Sequence, residues 1–305
     1  MTQKKIIFIV GPTAVGKSDI AASLALKTNG EIVSCDSMQI YKEISIASGK
    51  PSPEILKQIP HYLIGEISME DNFDVGLFNQ LALKAIHNVH SKGHLPIVVG
   101  GSGMYMQILL DGIFDEKGKD FRLREELKKR FLEEGSDVLY EELKEVDPEA
   151  ASKIHPNDIK RLLRALEVYY HTRKPISEMQ KKREGLWGHY DIHLFALNRE
   201  REELYQRINE RVDKMFDCGL IDEIKGLANL HLSKTAEAVI GIAEVRSYLK
   251  GECSLERAKE NMKQNTRHFA KSQLTWFRKE KRLKWMDIEK NCSYEQVAQK
   301  ILKEI

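Results

Sequence analysis

The opening part of the chain alternates short apolar runs with amphipathic segments, the order of elements that a parallel α/β sheet requires. Four runs rich in apolar residues are predicted to be buried strands: 6–10, 31–36, 61–64 and 95–99. Three segments with apolar residues at the helical period are predicted helices: 18–28, 73–90 and 104–110. Strand, loop, helix and strand follow one another before residue 37, which is the opening unit of such a sheet.

The pattern changes near residue 115, where charged amphipathic segments replace this alternation. Three helices are predicted there, with no strand between them: 121–134, 138–145 and 156–170. The strand pattern then returns at 193–198. Four more helices are predicted after it: 202–216, 221–230, 238–248 and 255–277. We therefore predict a discontinuous α/β core, 1–114 with 193–305, and an all-helical insertion domain at 115–192.

A glycine-rich loop follows the first strand and fits the pattern G-x-x-x-x-G-K-[ST]. Its residues are Gly11, Pro12, Thr13, Ala14, Val15, Gly16, Lys17 and Ser18. The glycines let the backbone turn its N–H groups towards an anion, and the next helix points its N-terminus at the same anion. Lys17 can reach the terminal phosphate, and the Ser18 hydroxyl can ligate Mg²⁺. The core is thus predicted to be P-loop NTPase-like and to bind a di- or triphosphate, which the loop does not identify as ATP.

Two polar residues lie at the carboxyl ends of neighbouring predicted strands: Asp36 ends one strand, and Ser102 follows the other. Ligands of open α/β sheets bind outside the carboxyl ends of the strands, so Asp36 and Ser102 are expected to face the phosphate loop. Asp36 could hold Mg²⁺, act as a general base or cap a turn, and the Ser102 hydroxyl could contact a ligand or cap a helix. Two arginines could reach the phosphate site or pair with nearby glutamates: Arg207 and Arg211, against Glu203 and Glu210.

Composition narrows the class of protein. The chain has 305 residues, a net charge of +2 and 42% apolar residues, typical of a soluble protein with about two domains. Its four cysteines lack metal-binding spacing and are expected to be free thiols in a reducing compartment. No apolar run approaches the roughly 20 residues that span a bilayer, and no signal peptide precedes the first strand. We expect a cytoplasmic monomer with no membrane partner.

Because the net charge is small, any nucleic-acid signal must be local. Two segments are basic: 158–183 has eight Lys or Arg and three acids, and 263–284 has eight and one. The second also carries aromatic side chains, a mixture that suits RNA. In the first, Lys160, Arg161 and Arg164 lie within about one helical turn and can form a cationic edge. A solvated helix face is the alternative for either segment, and the two together favour binding of a polyanion.

As a whole the chain resembles the tRNA dimethylallyltransferases, which prenylate the adenosine next to the anticodon. The resemblance rests on seven ordered motifs: Gly-Pro-Thr-Ala-Val-Gly-Lys-Ser (11–18), Ser-Cys-Asp-Ser-Met-Gln-Ile-Tyr (34–41), Gly-Lys-Pro-Ser (49–52), Gly-Gly-Ser-Gly-Met-Tyr (100–105), Asp-Pro-Glu-Ala-Ala (147–151), Asn-Asp-Ile-Lys-Arg-Leu-Leu-Arg-Ala-Leu-Glu-Val (157–168) and Asn-Thr-Arg-His-Phe-Ala-Lys-Ser-Gln-Leu-Thr-Trp-Phe-Arg (265–278). A phosphate loop alone is common to many enzymes, whereas this series is not. The resemblance implies dimethylallyl diphosphate and the tRNA anticodon stem-loop as partners, with Mg²⁺ as cofactor.

The resemblance also implies roles for individual residues. Asp36 accepts the proton of adenosine N6, and Ser102 assists at the same nitrogen. Lys17, Arg211 and a Mg²⁺ on Ser18 act on the pyrophosphate held by the loop. The positions that match tRNA contacts of the family are Asp36, Ser37, Met38, Gln39, Ser102, Arg124, Lys160, Arg161, Leu162, Leu163 and Arg164.

A few positions depart from the family pattern. Ser102 replaces a usual Thr and keeps the hydroxyl, while Ser272 replaces an Arg and removes a cation. Arg173 replaces a common Gly, which is expected to affect a turn. Ile242 and Ala243 replace Tyr-Lys or Tyr-Arg, so an RNA contact at that stretch is not expected to carry over.

Three alternative functions share some of these features. A nucleoside or small-metabolite kinase would use the loop for ATP but leaves the basic insertion unexplained, and no guanine-reading or protein-kinase motif is present. An adenylate isopentenyltransferase would perform the same chemistry on a free nucleotide, without use for the motif at 157–168. A non-catalytic RNA-binding protein would not need an intact Lys17, Ser18 and Asp36.

Overall fold

One parallel six-stranded sheet organises the computed structural model, which describes residues 4–114 and 121–305. The strands are β1 (Lys5–Val10), β2 (Gly30–Ser34), β3 (His61–Tyr62), β4 (Leu95–Gly100), β5 (Asp191–Asn198) and β6 (Lys284–Asp287). Their order across the sheet is β3-β2-β4-β1-β5-β6, and each neighbouring pair is parallel. Strand β1 lies inside the sheet, and its side chains from Ile6 to Val10 are completely buried. The predicted α/β class is confirmed.

The described chain contains fourteen helices, joined to one another and to the strands by loops and turns. They are α1 (Lys17–Thr28), α2 (Pro53–Gln58), α3 (Val75–Ser91), α4 (Gly103–Asp111), α5 (Phe121–Val146), α6 (Pro148–Ala151), α7 (Ile159–Thr172), α8 (Ile176–Lys181), α9 (Arg201–Asp217), α10 (Leu220–Lys225), α11 (Lys234–Glu237), α12 (Ile242–Leu249), α13 (Leu255–Phe277) and α14 (Tyr294–Leu302). Helix α5 contains a break at Gly135, whose φ is +86°. Across the described ranges, no helix is long and apolar enough to span a membrane.

Two compact units divide the chain. The first comprises Met1–Leu110 and Trp187–Ile305 and contains the sheet, and the second is Asp111–Leu186. The second unit has its own apolar core, which includes Leu139, Leu143 and Leu166. Its bounds differ from the insertion of 115–192 inferred from sequence, whose first residue lies outside the described residues. Its end comes earlier because the Trp187 N–H donates to the Leu110 carbonyl, 2.9 Å away, within the first unit.

Several elements differ from the sequence prediction for physical reasons. Strand β2 ends at Ser34, two residues early, so Asp36 lies on the loop beyond it. Helix α2 was not predicted; it begins at Pro53 and is capped by Ser52. Strand β6 and helix α14 were not predicted. The four side chains of β6 are mostly exposed and leave no apolar alternation to detect.

Candidate active site

The loops that follow β1, β4 and β2 meet at one edge of the sheet. Val10 is in register with Gly100, and Ser34 with Val99, so these three strands end at nearly the same level. The loops are packed closely: a Cβ on Gly100 would lie 1.9 Å from the carbonyl oxygen of Cys35. The phosphate loop, Asp36 and the 100–103 turn therefore share one crevice, as expected for an open parallel sheet.

The phosphate loop is held from one side by arginines. Arg207 Nε donates to the Ala14 carbonyl oxygen at 2.9 Å, and Arg199 Nε donates to the Val15 carbonyl oxygen at 3.0 Å. In a trans peptide the carbonyl and the next N–H point in opposite directions. The N–H groups of Val15 and Gly16 therefore point away from the two arginines, where they can donate to an anion.

Gly16 is required by both conformation and space. Its φ of +108° is unfavourable for other residues, and a Cβ there would lie 2.8 Å from the ring of Tyr294. Tyr294 belongs to α14, and its hydroxyl accepts a hydrogen bond from Arg207 at 2.7 Å. The C-terminal helix thus closes the back of the loop, a contact with no local sequence signal.

Two cations face this loop without a carboxylate partner among the described residues. Lys17 Nζ donates to the Pro12 carbonyl oxygen at 2.7 Å, and Arg211 Nη1 donates to Thr13 Oγ1 at 3.3 Å. Burial lowers the pKa of Lys17 to about 8, an effect that Asp36 opposes and Arg211 reinforces. Burial also lowers the pKa of Arg211. A bound anion would restore the electrostatic stabilisation that both cations lost on burial.

The structure decides the question left open for the arginine pair. Both side chains contact the phosphate loop. Arg207 donates to a backbone carbonyl of the loop, and Arg211 donates to the Thr13 side chain. Glu203 instead accepts from Arg199, and Glu210 accepts from Gln206.

Asp36 and Ser102 lie on adjacent loops that share a hydrogen bond. The Ser37 N–H donates to Ser102 Oγ at 3.3 Å, while Asp36 Oδ1 accepts from the Met38 N–H at 2.9 Å. The turn-capping interpretation of Asp36 therefore holds for one oxygen. Its Oδ2 has no hydrogen-bond partner within the ranges that the structure describes, so it remains available to a ligand.

A cavity of about 160 Å³ opens beside these groups. Its polar wall includes Lys17, Ser18, Asp36 and Arg211. Its apolar wall includes Ile64, Val99, Val212, Met215, Val239, Met262 and Phe269. One space thus combines a cationic phosphate loop with a carboxylate and aliphatic surface, which suits an ester of an apolar alcohol and diphosphate.

The oxygen donors of the wall fit a magnesium ion carried by a substrate. Mg²⁺ takes few protein ligands, keeps several waters and binds substrate phosphates. The Ser18 hydroxyl lines the cavity beside Lys17. The described residues contain no group of three or more His, Cys, Asp or Glu that could hold a metal alone. A diphosphate-borne Mg²⁺ is therefore compatible with this donor set.

Gln273 of α13 was missed by the sequence interpretation. Its Oε1 accepts from the Thr13 N–H at 2.8 Å and its Nε2 donates to the Gly101 carbonyl oxygen at 3.0 Å, so it joins two loops of the site. A signal was present: Gln273 stands on the buried face of a helix between Ala270 and Phe277. A buried polar side chain needs partners, and here both are loop backbone groups.

The residues matched to tRNA contacts near Asp36 have different environments. Ser37 is half-buried, whereas Met38 and Gln39 line the cavity. The Gln39 amide bonds within the protein, accepting from Ser34 Oγ at 3.0 Å and donating to the Gly49 carbonyl oxygen at 3.3 Å.

The remaining matched residues belong to the second unit. Arg124 and Lys160 are exposed. Arg161 lies 3.4 Å from Asp158 and Arg164 lies 3.2 Å from Glu167, so acids of α7 and its cap accompany the predicted cationic edge. The side chain of Leu162 is completely buried in this unit's core, and its match to a tRNA contact of the family stays a prediction. Leu163 is half-buried against the same core.

The departures from the family pattern are accommodated locally. Arg173 ends α7 with a φ of +56°, the left-handed conformation that a glycine would take there. Ser272 is exposed on α13 and donates to the His268 carbonyl oxygen. Ile242 is buried, whereas Ala243 is exposed and offers no cation. In the second basic segment, Lys263 pairs with Asp213 at 2.8 Å.

This chain matches a known protein family and one of its curated members over most of its length. The model of the family described as IPP transferase matches residues 39–280. A tRNA dimethylallyltransferase of Geobacter sulfurreducens is 42% identical over 292 residues, which cover 95% of this chain and 94% of the relative.

Solved structures agree with the sequence relatives. A tRNA isopentenylpyrophosphate transferase of Staphylococcus epidermidis superposes with a TM-score of 0.71 at 37% identity, covering 99% of this chain and 98% of that one. A eukaryotic dimethylallyltransferase acting on tRNA superposes with a TM-score of 0.84 at 31% identity, covering 98% and 77% respectively. With a parallel sheet, a phosphate loop and relatives that match nearly its full length, this chain belongs to the IPP transferase family.

Proposed function

We propose that this enzyme transfers the dimethylallyl group of dimethylallyl diphosphate to N6 of the adenosine 3′ to the anticodon, position 37 of tRNA. The supporting observation is the cavity in which Lys17, Arg211, Asp36 and aliphatic side chains meet. A kinase would use the same loop for ATP and would leave the basic segment 158–183 unexplained. The curated and structural relatives carry tRNA prenyl transfer in their names.

The reaction exchanges one bond for another at the allylic carbon. The N6 lone pair forms the new C–N bond while the C–O bond breaks. The diphosphate leaves with the two electrons of the broken C–O bond. Positive charge develops on the allyl carbon and negative charge on the leaving oxygen. Catalysis therefore needs stabilisation of the departing anion and removal of the N6 proton.

The leaving group lies against the phosphate loop in this proposal. The N–H groups of Val15 and Gly16 point away from the arginines behind the loop, and the N-terminus of α1 faces the same space. Lys17 and Arg211 are already desolvated, so their attraction for the developing charge is strong. A Mg²⁺ held by the Ser18 hydroxyl and substrate oxygens would supply further neutralisation of the diphosphate.

Asp36 is the proposed base. Its Oδ1 is held by the Met38 N–H at 2.9 Å, which orients the carboxylate and leaves Oδ2 for the N6 proton. The Ser102 hydroxyl is oriented by the Ser37 N–H, and its own proton is free to donate to the adenine. The adenosine must leave the anticodon stack to reach these groups, which is base flipping into a pocket.

The second unit is proposed to hold the anticodon stem-loop. Arg124, Lys160 and Arg161 present exposed cations there. Arg161 lies 3.4 Å from Asp158, an exposed partner that it can exchange for a phosphate at little net cost.

The decisive experiment combines purified protein, unmodified tRNA, Mg²⁺ and labelled dimethylallyl diphosphate. We expect label in tRNA at adenosine 37 with release of diphosphate. Parallel reactions replace tRNA with AMP, and the donor with labelled ATP. Transfer to AMP alone would indicate an adenylate isopentenyltransferase, and phosphate transfer from ATP alone would indicate a kinase.

A further inference from the structure

Glu223 of α10 lies outside the cavity wall and binds three consecutive backbone N–H groups. Its Oε2 accepts from Ser45 at 2.6 Å and Ile46 at 2.8 Å, and its Oε1 accepts from Ala47 at 2.8 Å. These donors begin the turn 45–49, in which the Gly49 N–H donates to the Ile46 carbonyl. A carboxylate at the start of such a turn forms charge-assisted bonds, which are stronger than neutral ones.

The turn that Glu223 holds forms part of the cavity wall, through Ala47, Ser48 and Gly49. Gly49 lies directly against the guanidinium of Arg211, since a Cβ there would be 1.6 Å from Nη2. Its φ of +59° is also the left-handed conformation that favours glycine. The backbone of this turn is therefore a surface on which the head of Arg211 rests.

Arg211 has few other restraints within the described chain. Its guanidinium donates to Thr13 Oγ1 at 3.3 Å, a weak contact, and no carboxylate pairs with it. Its direction towards the phosphate loop thus depends on the turn beneath it. The conformation of this turn depends on Glu223. A second hydrogen bond to the turn comes from the Gln39 amide, which donates to the Gly49 carbonyl oxygen at 3.3 Å.

We propose that Glu223 is a positioning residue for diphosphate binding. By fixing the turn 45–49, it sets the guanidinium of Arg211 against the phosphate loop through the backbone of Gly49. The identity of the anion as a diphosphate rests on the proposed function, whereas the mechanical link rests on the contacts alone.

The chemistry of the side chain explains why glutamate is needed. A glutamine at 223 has one acceptor oxygen for three N–H donors, and its amide would face donors rather than acceptors. An aspartate keeps the charge but is shorter by one methylene, so it reaches fewer of the three. The loss is therefore expected to be larger for Glu223→Gln than for Glu223→Asp.

The test measures steady-state kinetics of transfer and the Kd of inorganic pyrophosphate with Mg²⁺, by calorimetry on the full-length protein. We expect Glu223→Gln to raise the KM for dimethylallyl diphosphate and the pyrophosphate Kd by about tenfold, the usual effect of misplacing one charged contact. The KM for tRNA should stay within about twofold. Asp222→Asn is the matched control. Asp222 immediately precedes Glu223 on α10, is exposed and pairs with Lys225, so the variant should behave as wild type.

A double-mutant cycle distinguishes positioning from general support of the fold. If Glu223 acts through Arg211, Glu223→Gln will add little to Arg211→Gln, and the two effects will be strongly non-additive. Additive effects, or a fall in kcat with the pyrophosphate Kd unchanged, would overturn the proposal. If Glu223→Gln does not fold, Glu223→Asp takes its place and should raise the pyrophosphate Kd by a smaller factor, which should disappear in an Arg211→Gln background; an unchanged Kd would overturn the proposal. If wild type transfers nothing to tRNA, the proposed function fails, while the pyrophosphate Kd still decides the role of Glu223.

Discussion

The cations at the candidate site of the sheet-containing unit and those on α7 of the helical unit are held in opposite ways. In the sheet-containing unit, Lys17 and Arg211 are largely removed from water and contact a carbonyl and a hydroxyl rather than a carboxylate. In the helical unit, Arg161 and Arg164 lie nearer to solvent, each beside an acid on or next to its own helix. The site in the sheet unit therefore contains buried cations without a carboxylate counter-charge, and α7 of the helical unit carries cations whose acidic partners can be exchanged.

This difference indicates two kinds of anion binding. A desolvated cation without a counter-charge destabilises the free protein, and a specific anion in the right place removes that penalty. A solvated, paired cation gains little from any single phosphate and acts mainly through release of counterions. We therefore expect the sheet unit to be sensitive to single substitutions and the helical unit to be sensitive to salt.

The largest effect is expected from Asp36→Asn. The asparagine keeps an oxygen for the Met38 N–H and so preserves the turn, but it cannot accept the N6 proton. The single-turnover rate of transfer should fall by about 10³, within the range typical of a general base, while tRNA affinity changes by no more than about threefold. Comparable losses of rate and affinity would mean that Asp36 serves the loop and not the chemistry.

Lys17→Met should follow, with a loss of about 10² in kcat/KM for dimethylallyl diphosphate, as for other groups that stabilise a developing anion. The measurement is initial rate against donor concentration at saturating tRNA. Lys300→Met, at an exposed position of α14, is the matched control and should leave the kinetics unchanged. A loss below about threefold for Lys17→Met would remove the contrast between buried and exposed cations.

The pH dependence should report the buried lysine directly. Since burial lowers the pKa of Lys17 to about 8, the free enzyme loses this charge as pH rises through that value. The KM for the donor should rise by about tenfold at one unit above that pKa. Stability should move the other way: between about 8 and the ordinary 10.5 the unfolded chain binds more protons here, so this group makes folding more favourable with rising pH.

Lys17→Arg provides the control for this profile. Arginine keeps its charge throughout the range, so the rise in KM above pH 8 should disappear even if the overall rate is lower. An identical profile in wild type and Lys17→Arg would assign the titration to another group, such as the substrate.

The smallest effect is expected from Arg161→Ala in the helical unit. The affinity for tRNA should fall by only about threefold at moderate salt. The magnitude of the slope of log affinity against log salt should decrease by about one, as for loss of one phosphate contact. Filter binding of tRNA over a salt series measures both quantities. An unchanged slope would return Arg161 to an ordinary solvated helix face.

Much of the active site could be predicted because its signals are local. The spacing of the glycines in 11–18 predicts the conformation of the loop, and Asp36 lies at the carboxyl end of a recognisable strand. Gln273 and Glu223 could not be assigned in this way. Their partners lie far along the chain, in the Thr13 and Ser45–Ala47 backbones, and hydrogen bonds to backbone leave no imprint on the sequence of the partner.

The same distinction separates the elements that were predicted from those that were missed. Helix α13 has a long apolar period and its ends were predicted correctly, at Leu255 and Phe277. Strand β6 is exposed and short, and it exists because β5 offers an open edge to pair with. Leu162 was included among the tRNA-contacting positions because the family resemblance implies it, whereas the structure alone shows that the helix turns its side chain into the core.

The sequence by itself determined the parallel α/β class, the phosphate loop with Lys17 and Ser18, the position of Asp36 at the carboxyl end of a strand, and the family. The fold class and the loop follow from periodicity and from backbone conformations that only certain residues adopt, whereas the family was inferred from the resemblance of seven ordered motifs. Only the tertiary structure decided which arginine contacts Thr13, that α14 closes the back of the loop, and that a turn held by Glu223 supports Arg211. Such contacts join residues distant in the chain, and they depend on distances that packing alone sets.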